Sequence, residues 1–131
     1  MTTWITVCDT CKLDDWEASG REQKDGEVLA ELVEAAAADC ADVQTRRVSC
    51  LMGCSHGCNI AIQGTDKLNY TLGRFEPGVE AAEAIVEYAA LHAESASGQV
   101  PFRQWPQGVK GHFVTRHPPL PKPEVEAEAA E

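Results

Sequence analysis

Five of the six cysteines fall into two tight groups, Cys8-x-x-Cys11 and Cys50-x-x-x-Cys54-x-x-x-Cys58. Thiolates are soft, strongly binding ligands, and clusters at these intervals usually hold zinc or an iron–sulfur centre. The two groups are far apart in sequence. A fold that uses both must bring two loops together, so the pattern constrains architecture as well as chemistry.

The surrounding sequence supplies such a fold. A chain of 131 residues supports one domain around a single core. Thr3 to Val7 alternates and is rich in β-branched and aromatic residues, which predicts a strand running directly into Cys8. Lys12 to Asp25 is polar and reads as an irregular loop, in which Trp16 either shields a site or caps the core. From Gly26 the spacing of Val28, Leu29, Leu32 and Val33 predicts a helix, with Asp25 as its N-cap and Glu27 in its first turn. Val43 to Val48 forms a second strand ending just before Cys50. A strand–helix–strand unit of this kind places the two strands in parallel, because parallel neighbours need a long crossover.

Cys58 to Ile62 alternates as a third strand. Gly64-Thr65-Asp66-Lys67 makes a turn, and Leu68 to Phe75 reads as a fourth strand, antiparallel to the third. Glu76-Pro77-Gly78 opens a second helix with Pro77 in its first turn, and Ala81, Ile85, Tyr88, Ala89 and His92 supply its buried face. The expected architecture is an α/β, thioredoxin-like two-layer sandwich, a mixed sheet of about four strands with two main helices. Residues 1–96 form the cluster- or metal-binding domain. Residues 97–117 form an irregular extension packing back through Phe102 and Trp105. Residues 118–131, rich in proline and glutamate, form a disordered acidic tail.

With 11 basic and 21 acidic residues the formal charge is −10, and no compact basic patch offsets it. Nucleic acid is therefore excluded as a partner. An acidic face instead steers encounter with a basic protein, although the charge also simply maintains solubility. No stretch is long or apolar enough to span a membrane, and Met1 to Val7 lacks the form of a signal peptide. Those features point to the cytoplasm, where reduced thiols bind metal more often than they form disulfides. Nothing in the sequence sets the oligomeric state.

If the first two strands are parallel neighbours, both cysteine loops emerge at one edge of the sheet. Four thiolates converging there satisfy either a tetrahedral zinc or a [2Fe–2S] cluster. Zinc commonly uses two C-x2-C knuckles, whereas the second group here has three-residue gaps and a fifth cysteine. Cys58 is a ligand, a spare ligand, or a small hydrophobe beginning the third strand. Cys40 stands apart as a structural cysteine. His56 lies within the second group, as a solvated loop residue, a ligand, or a donor to sulfur. His92, His112 and His117 are scattered and read as solvated rather than catalytic. Cys8-Asp9-Thr10-Cys11 also has the form of a dithiol redox pair, but that chemistry favours a helix directly downstream, which Leu13 to Gly26 does not offer.

Ser49-Cys50-Leu51-Met52-Gly53-Cys54, with the strand Asn59-Ile60-Ala61-Ile62 and the turn Gly64-Thr65-Asp66-Lys67, resembles the second half of thioredoxin-like [2Fe–2S] ferredoxins. More closely, the chain from Ile5 to about Pro119 resembles a family of small bacterial predicted metal-binding proteins of unassigned function, often encoded near cobalamin-biosynthesis functions. The matching pieces are Val7-Cys8-Asp9-Thr10-Cys11, Cys50 to Cys58, Val100-Pro101-Phe102-Arg103 and Arg116-His117-Pro118-Pro119. The resemblance implies Cys8 as first ligand and Cys50 with Cys54 as the third and fourth. It leaves the second to Cys11, with Cys58 as the alternative.

The expected function is a [2Fe–2S] electron carrier, not an enzyme, with the cluster held by Cys8, Cys11, Cys50 and Cys54 and a redox partner that docks through a basic face. The alternative is a zinc- or cobalt-binding metal-handling protein, which the resemblance links to cobalamin biosynthesis.

Overall fold

Ile5 and Val7 point to one side of strand β1 (Thr3–Cys8) and are sealed from solvent, while Trp4, the residue before Ile5, is exposed on the other side. The structure, a computed structural model, describes residues 2–13, 16–20, 22–49, 51 and 57–120. Strand β2 (Val43–Val48) lies parallel to β1, in a register running from Thr3 opposite Val43 to Cys8 opposite Val48. On the other side of β1, β3 (Ile60–Gly64) is antiparallel, followed by β4 (Asn69–Leu72) and β5 (Phe113–His117), each antiparallel to its neighbour. The result is an open, mixed five-stranded α/β sheet in the order β2-β1-β3-β4-β5.

A short helix, α1 (Trp16–Ser19), interrupts the segment expected to be an irregular loop and precedes α2 (Asp25–Ala37). The crossover through α2 is what permits β1 and β2 to be parallel. Helix α2 buries Leu29, Ala30 and Val33, while α3 (Val79–Glu94) buries Ala82, Ile85, Tyr88 and Ala89. The two helices pack against each other and on the sheet face that carries Ile5, Val7, Ile60, Ile62 and Leu72. Each large aliphatic side chain fully buried there contributes about 1.5–3 kcal/mol. The opposite face carries a polar network. Arg46 Nε donates to the Thr6 hydroxyl at 2.7 Å, and Arg46 Nη2 donates to Gln63 Oε1 at 2.9 Å. Among the described residues, no helix is long and apolar enough to cross a membrane.

Several expected boundaries move, each for a local reason. Asp25 is the first residue of α2 and not its cap. Its buried carboxylate instead accepts the Leu13 N–H at 2.7 Å, while Glu27 accepts the N–H of Lys24 at 3.0 Å. The third strand begins at Ile60, because Cys58 has φ +57°, a left-handed conformation that no strand accommodates. The fourth stops at Leu72, two residues before Arg74 at φ +65°. Helix α3 starts at Val79, after Pro77.

The segment expected to be irregular contains single 3-10 turns at Phe102–Gln104 and Gln107–Val109, and then the fifth strand. Trp105 does pack back, stacked on Phe113 with ring centres 4.5 Å apart, whereas Phe102 remains 62% exposed. His92 is not solvated. It is fully buried on the inner face of α3, its Nδ1 2.8 Å from the Thr3 hydroxyl and its Nε2 2.7 Å from the Leu68 carbonyl. Of the expected tail, residues 118–120 are exposed and 121–131 lie outside the described residues.

Candidate functional site

The end of β1 is stitched to both neighbouring strands. Cys8 N–H donates to the Asn59 carbonyl at 3.2 Å, and Asp9 N–H donates to the Val48 carbonyl at 3.1 Å. The chain then turns, with Cys11 N–H reaching back to the Cys8 carbonyl at 3.5 Å. Both cysteines are buried reduced thiols. The Thr10 hydroxyl donates to the carbonyl of Ser49, the residue that precedes Cys50 in sequence, and lies 3.6 Å from Cys8 Sγ. The loop of the first cysteine group is thus tied to the segment entering the second, as parallel strands with a common end require.

The thiols of Cys8 and Cys11 are hydrogen-bonded to each other and titrate in opposite directions. Burial raises Cys8, but hydrogen bonds from the Cys11 thiol, the Leu51 N–H and the Thr10 N–H, with the Thr10 hydroxyl beside the sulfur, together hold it below the usual cysteine value. Burial pushes Cys11 up to about 12, helped by the neighbouring Cys8 sulfur and opposed by the N–H groups of Asn59 and Cys58. Those two successive amides face one sulfur because Cys58 is left-handed, and consecutive N–H groups turned to one side form a concavity that favours negative charge.

Two glycines hold this arrangement against its surroundings. A Cβ on Gly26, in the first turn of α2, would lie 2.1 Å from the Cys8 carbonyl oxygen and 3.0 Å from the Cys11 nitrogen. The N–H of Gly26 donates to the Cys11 carbonyl at 2.9 Å. A Cβ on Gly57 would lie 2.6 Å from the Lys12 carbonyl oxygen. Both places are open only to a residue without a side chain.

Of the expected ligands, the structure brings Cys8 and Cys11 together. Cys58 is fully buried and belongs to the hydrophobic core, with its backbone N–H and not its strand position serving the site. Cys50, Cys54 and His56 lie outside the described residues. Cys40 is half-buried against the core beyond α2. Among the described residues, no three His, Cys, Asp or Glu side chains are grouped so as to hold a metal ion. What the geometry does present is two adjacent sulfurs and a set of amide donors directed at them. Sequence reasoning missed the parts played by Gly26, Thr10 and Asn59. The signal available for Gly26 was its place at the start of a helix downstream of the cysteine loop.

A family model described as a protein of unknown function (DUF1636) matches residues 5–119. The chain belongs to this family. The DUF1636 match takes in both cysteine groups, the two helices that cover the sheet and strand β5, and it ends before residues 121–131. No curated protein and no solved structure matches the chain.

Proposed function

We propose that this protein is an electron carrier on a thioredoxin-like fold, holding one [2Fe–2S] cluster through Cys8, Cys11, Cys50 and Cys54. The observation that carries the reading is the Cys8–Cys11 thiol pair, with amide donors converging on it from Leu51, Cys58 and Asn59, on either side of the second cysteine loop. Such a cluster supplies one-electron transfer when bound. Cys8 and Cys11 supply thiolates, and the backbone N–H groups stabilise the charge that collects on sulfur, which raises the reduction potential. Thr10 ties the two cysteine segments together through Ser49. With a formal charge of −10, the surface favours a redox partner with a basic docking face over any nucleic acid. In this reading the protein works in the reducing cytoplasm as a carrier and not as an enzyme, and Cys58 stays in the core.

One observation favours a second reading, zinc or cobalt handling. Cys8 to Cys11 is a tight turn with the Thr10 N–H directed back at the Cys8 sulfur, the form of a zinc knuckle. Anaerobic purification separates the two. A visible absorption envelope with two irons and two acid-labile sulfides per chain supports the carrier. A protein with one zinc or cobalt per chain and neither iron nor acid-labile sulfide overturns it.

A further inference from the structure

Val100-Pro101-Phe102 and the arginine that opens Arg116-His117-Pro118-Pro119 take no part in the cysteine site, yet the fold brings them to one place. They line one open cavity of about 440 Å³, together with Tyr70 and Trp105. The cavity lies along β5, at the sheet edge opposite β2. Its volume falls within the range of small-molecule sites, roughly 300–1,000 Å³.

The aromatic surface is built in advance. Trp105 stacks on Phe113 at an interplanar angle of 16°, and its Nε1–H donates to the Val100 carbonyl at 2.8 Å, which fixes the indole. Phe102 leans on Trp105 at 4.9 Å while leaving most of its ring to solvent. A ring held at the surface in this way gives the fold little burial energy and gives a ligand a preformed stacking partner.

Charge decides what kind of ligand. Arg116 sits opposite Tyr70 across the β4–β5 pair, on the same face, and among the described lining residues it alone carries a formal charge. Among the described residues, its guanidinium has no hydrogen-bond or ion-pair partner. Lys110 Nζ lies 4.7 Å from the centre of the Phe102 ring, placing a second cation beside the same aromatic surface. An aromatic cage for a cationic ligand would lack these two groups. We propose that the cavity binds a planar aromatic carboxylate, its ring stacked on Phe102, which is tilted 55° to Trp105, with its edge against the indole and its carboxylate paired with Arg116.

The full-length protein is titrated with 2-naphthoate by calorimetry, and its amide resonances are followed by NMR. One saturable site is expected, with shifts concentrated at residues 99–105 and 113–116. Phe102→Ala and Arg116→Gln each weaken 2-naphthoate by about fivefold or more, while Val79→Ser, at an exposed apolar position on α3, leaves it unchanged. Neutral 2-naphthamide loses affinity in Phe102→Ala and is indifferent to Arg116→Gln. Both altered side chains are exposed, so the variants keep the fold. Non-saturable binding, shifts centred elsewhere, or an Arg116→Gln variant that binds 2-naphthoate as well as the parent overturns the proposal. Metal content plays no part in this readout, so its outcome is independent of the cysteine site.

Discussion

The first turn of α2 is seated on the backbone of the cysteine loop, for a Cβ on Gly26 would stand 2.1 Å from the carbonyl oxygen of Cys8. Two effects oppose each other at this position. Alanine is the better helix former by about 1 kcal/mol. The atoms it would strike are backbone atoms of Cys8, Asp9 and Cys11, which cannot rotate away. Overpacking costs about 1–3 kcal/mol, so the clash wins. Gly26→Ala is expected to lower stability by about 1–2 kcal/mol, read as a lower urea midpoint at unchanged slope. A raised midpoint would mean that the cysteine loop yields freely.

His92 gives the fold a specific acid sensitivity. Its Nε2 faces a carbonyl, which can only accept, so the neutral ring carries its proton there and Nδ1 accepts from the Thr3 hydroxyl. Burial lowers its pKa below the ordinary histidine value, with neighbouring Lys67 adding to the effect and the Leu68 carbonyl opposing it. Below about pH 6.5 the unfolded chain therefore binds a proton that the folded chain resists, and stability falls with falling pH until the folded ring also titrates. The slope from this one group is at most about 1.4 kcal/mol per pH unit, and above pH 6.5 it contributes none. Glu34 is held low by its hydrogen bond to Arg47, so its loss comes at more acid pH than that of His92. Urea midpoints at pH 5, 6, 7 and 8 should show a shallower fall for His92→Gln than for the parent, and equal slopes would remove His92 from the account.

Lys67 ends helix α3 from outside it. The side chain is 1% exposed, and its Nζ donates to the carbonyl oxygens of His92 and Ala93, each at 2.7 Å. A cation at a helix C-terminus meets the negative end of the dipole and satisfies carbonyls that the helix leaves open. Lys67→Met keeps the aliphatic stem and removes both bonds. It should cost about 2–3 kcal/mol in urea unfolding, because hydrogen bonds to charged groups are worth about 1.5–3 kcal/mol. A loss below about 0.5 kcal/mol would show that the carbonyls find water instead.

Strands β1 and β2, helix α2 and their parallel pairing are legible in the sequence, since Ile5, Val7, Leu29 and Val33 repeat at the periods of their elements. Strand β5 is not. Val114 to His117 has no alternating apolar face, because an edge strand buries little beyond Phe113 and its register is set by pairing with β4. Lys67 is equally hidden, since a turn lysine usually faces water and only the meeting of the β3–β4 turn with the end of α3 buries it. The helical spacing, by contrast, already places His92 on the buried face of α3. At the site, the cysteine spacing pointed to Cys8 and Cys11, while the left-handed backbone at Cys58 carried no sequence signal, cysteine having no preference for that conformation.

That backbone conformation sharpens the choice between Cys11 and Cys58. Cys11 is hydrogen-bonded to the Cys8 thiol, while Cys58 belongs to the core cluster and directs its N–H at Cys11. The two cysteines therefore part company when each is replaced by serine. Cys11→Ser removes a sulfur beside Cys8 and is expected to weaken metal or cluster retention by at least about tenfold, the scale on which supporting groups alone act. Cys58→Ser keeps the backbone N–H, and so keeps the bound centre, but places a hydroxyl in an apolar site and should cost about 1–3 kcal/mol of stability. Iron, sulfide and zinc content measured beside urea midpoints separates the two effects. Loss of the centre in Cys58→Ser with retention in Cys11→Ser would make Cys58 the ligand and Cys11 its neighbour.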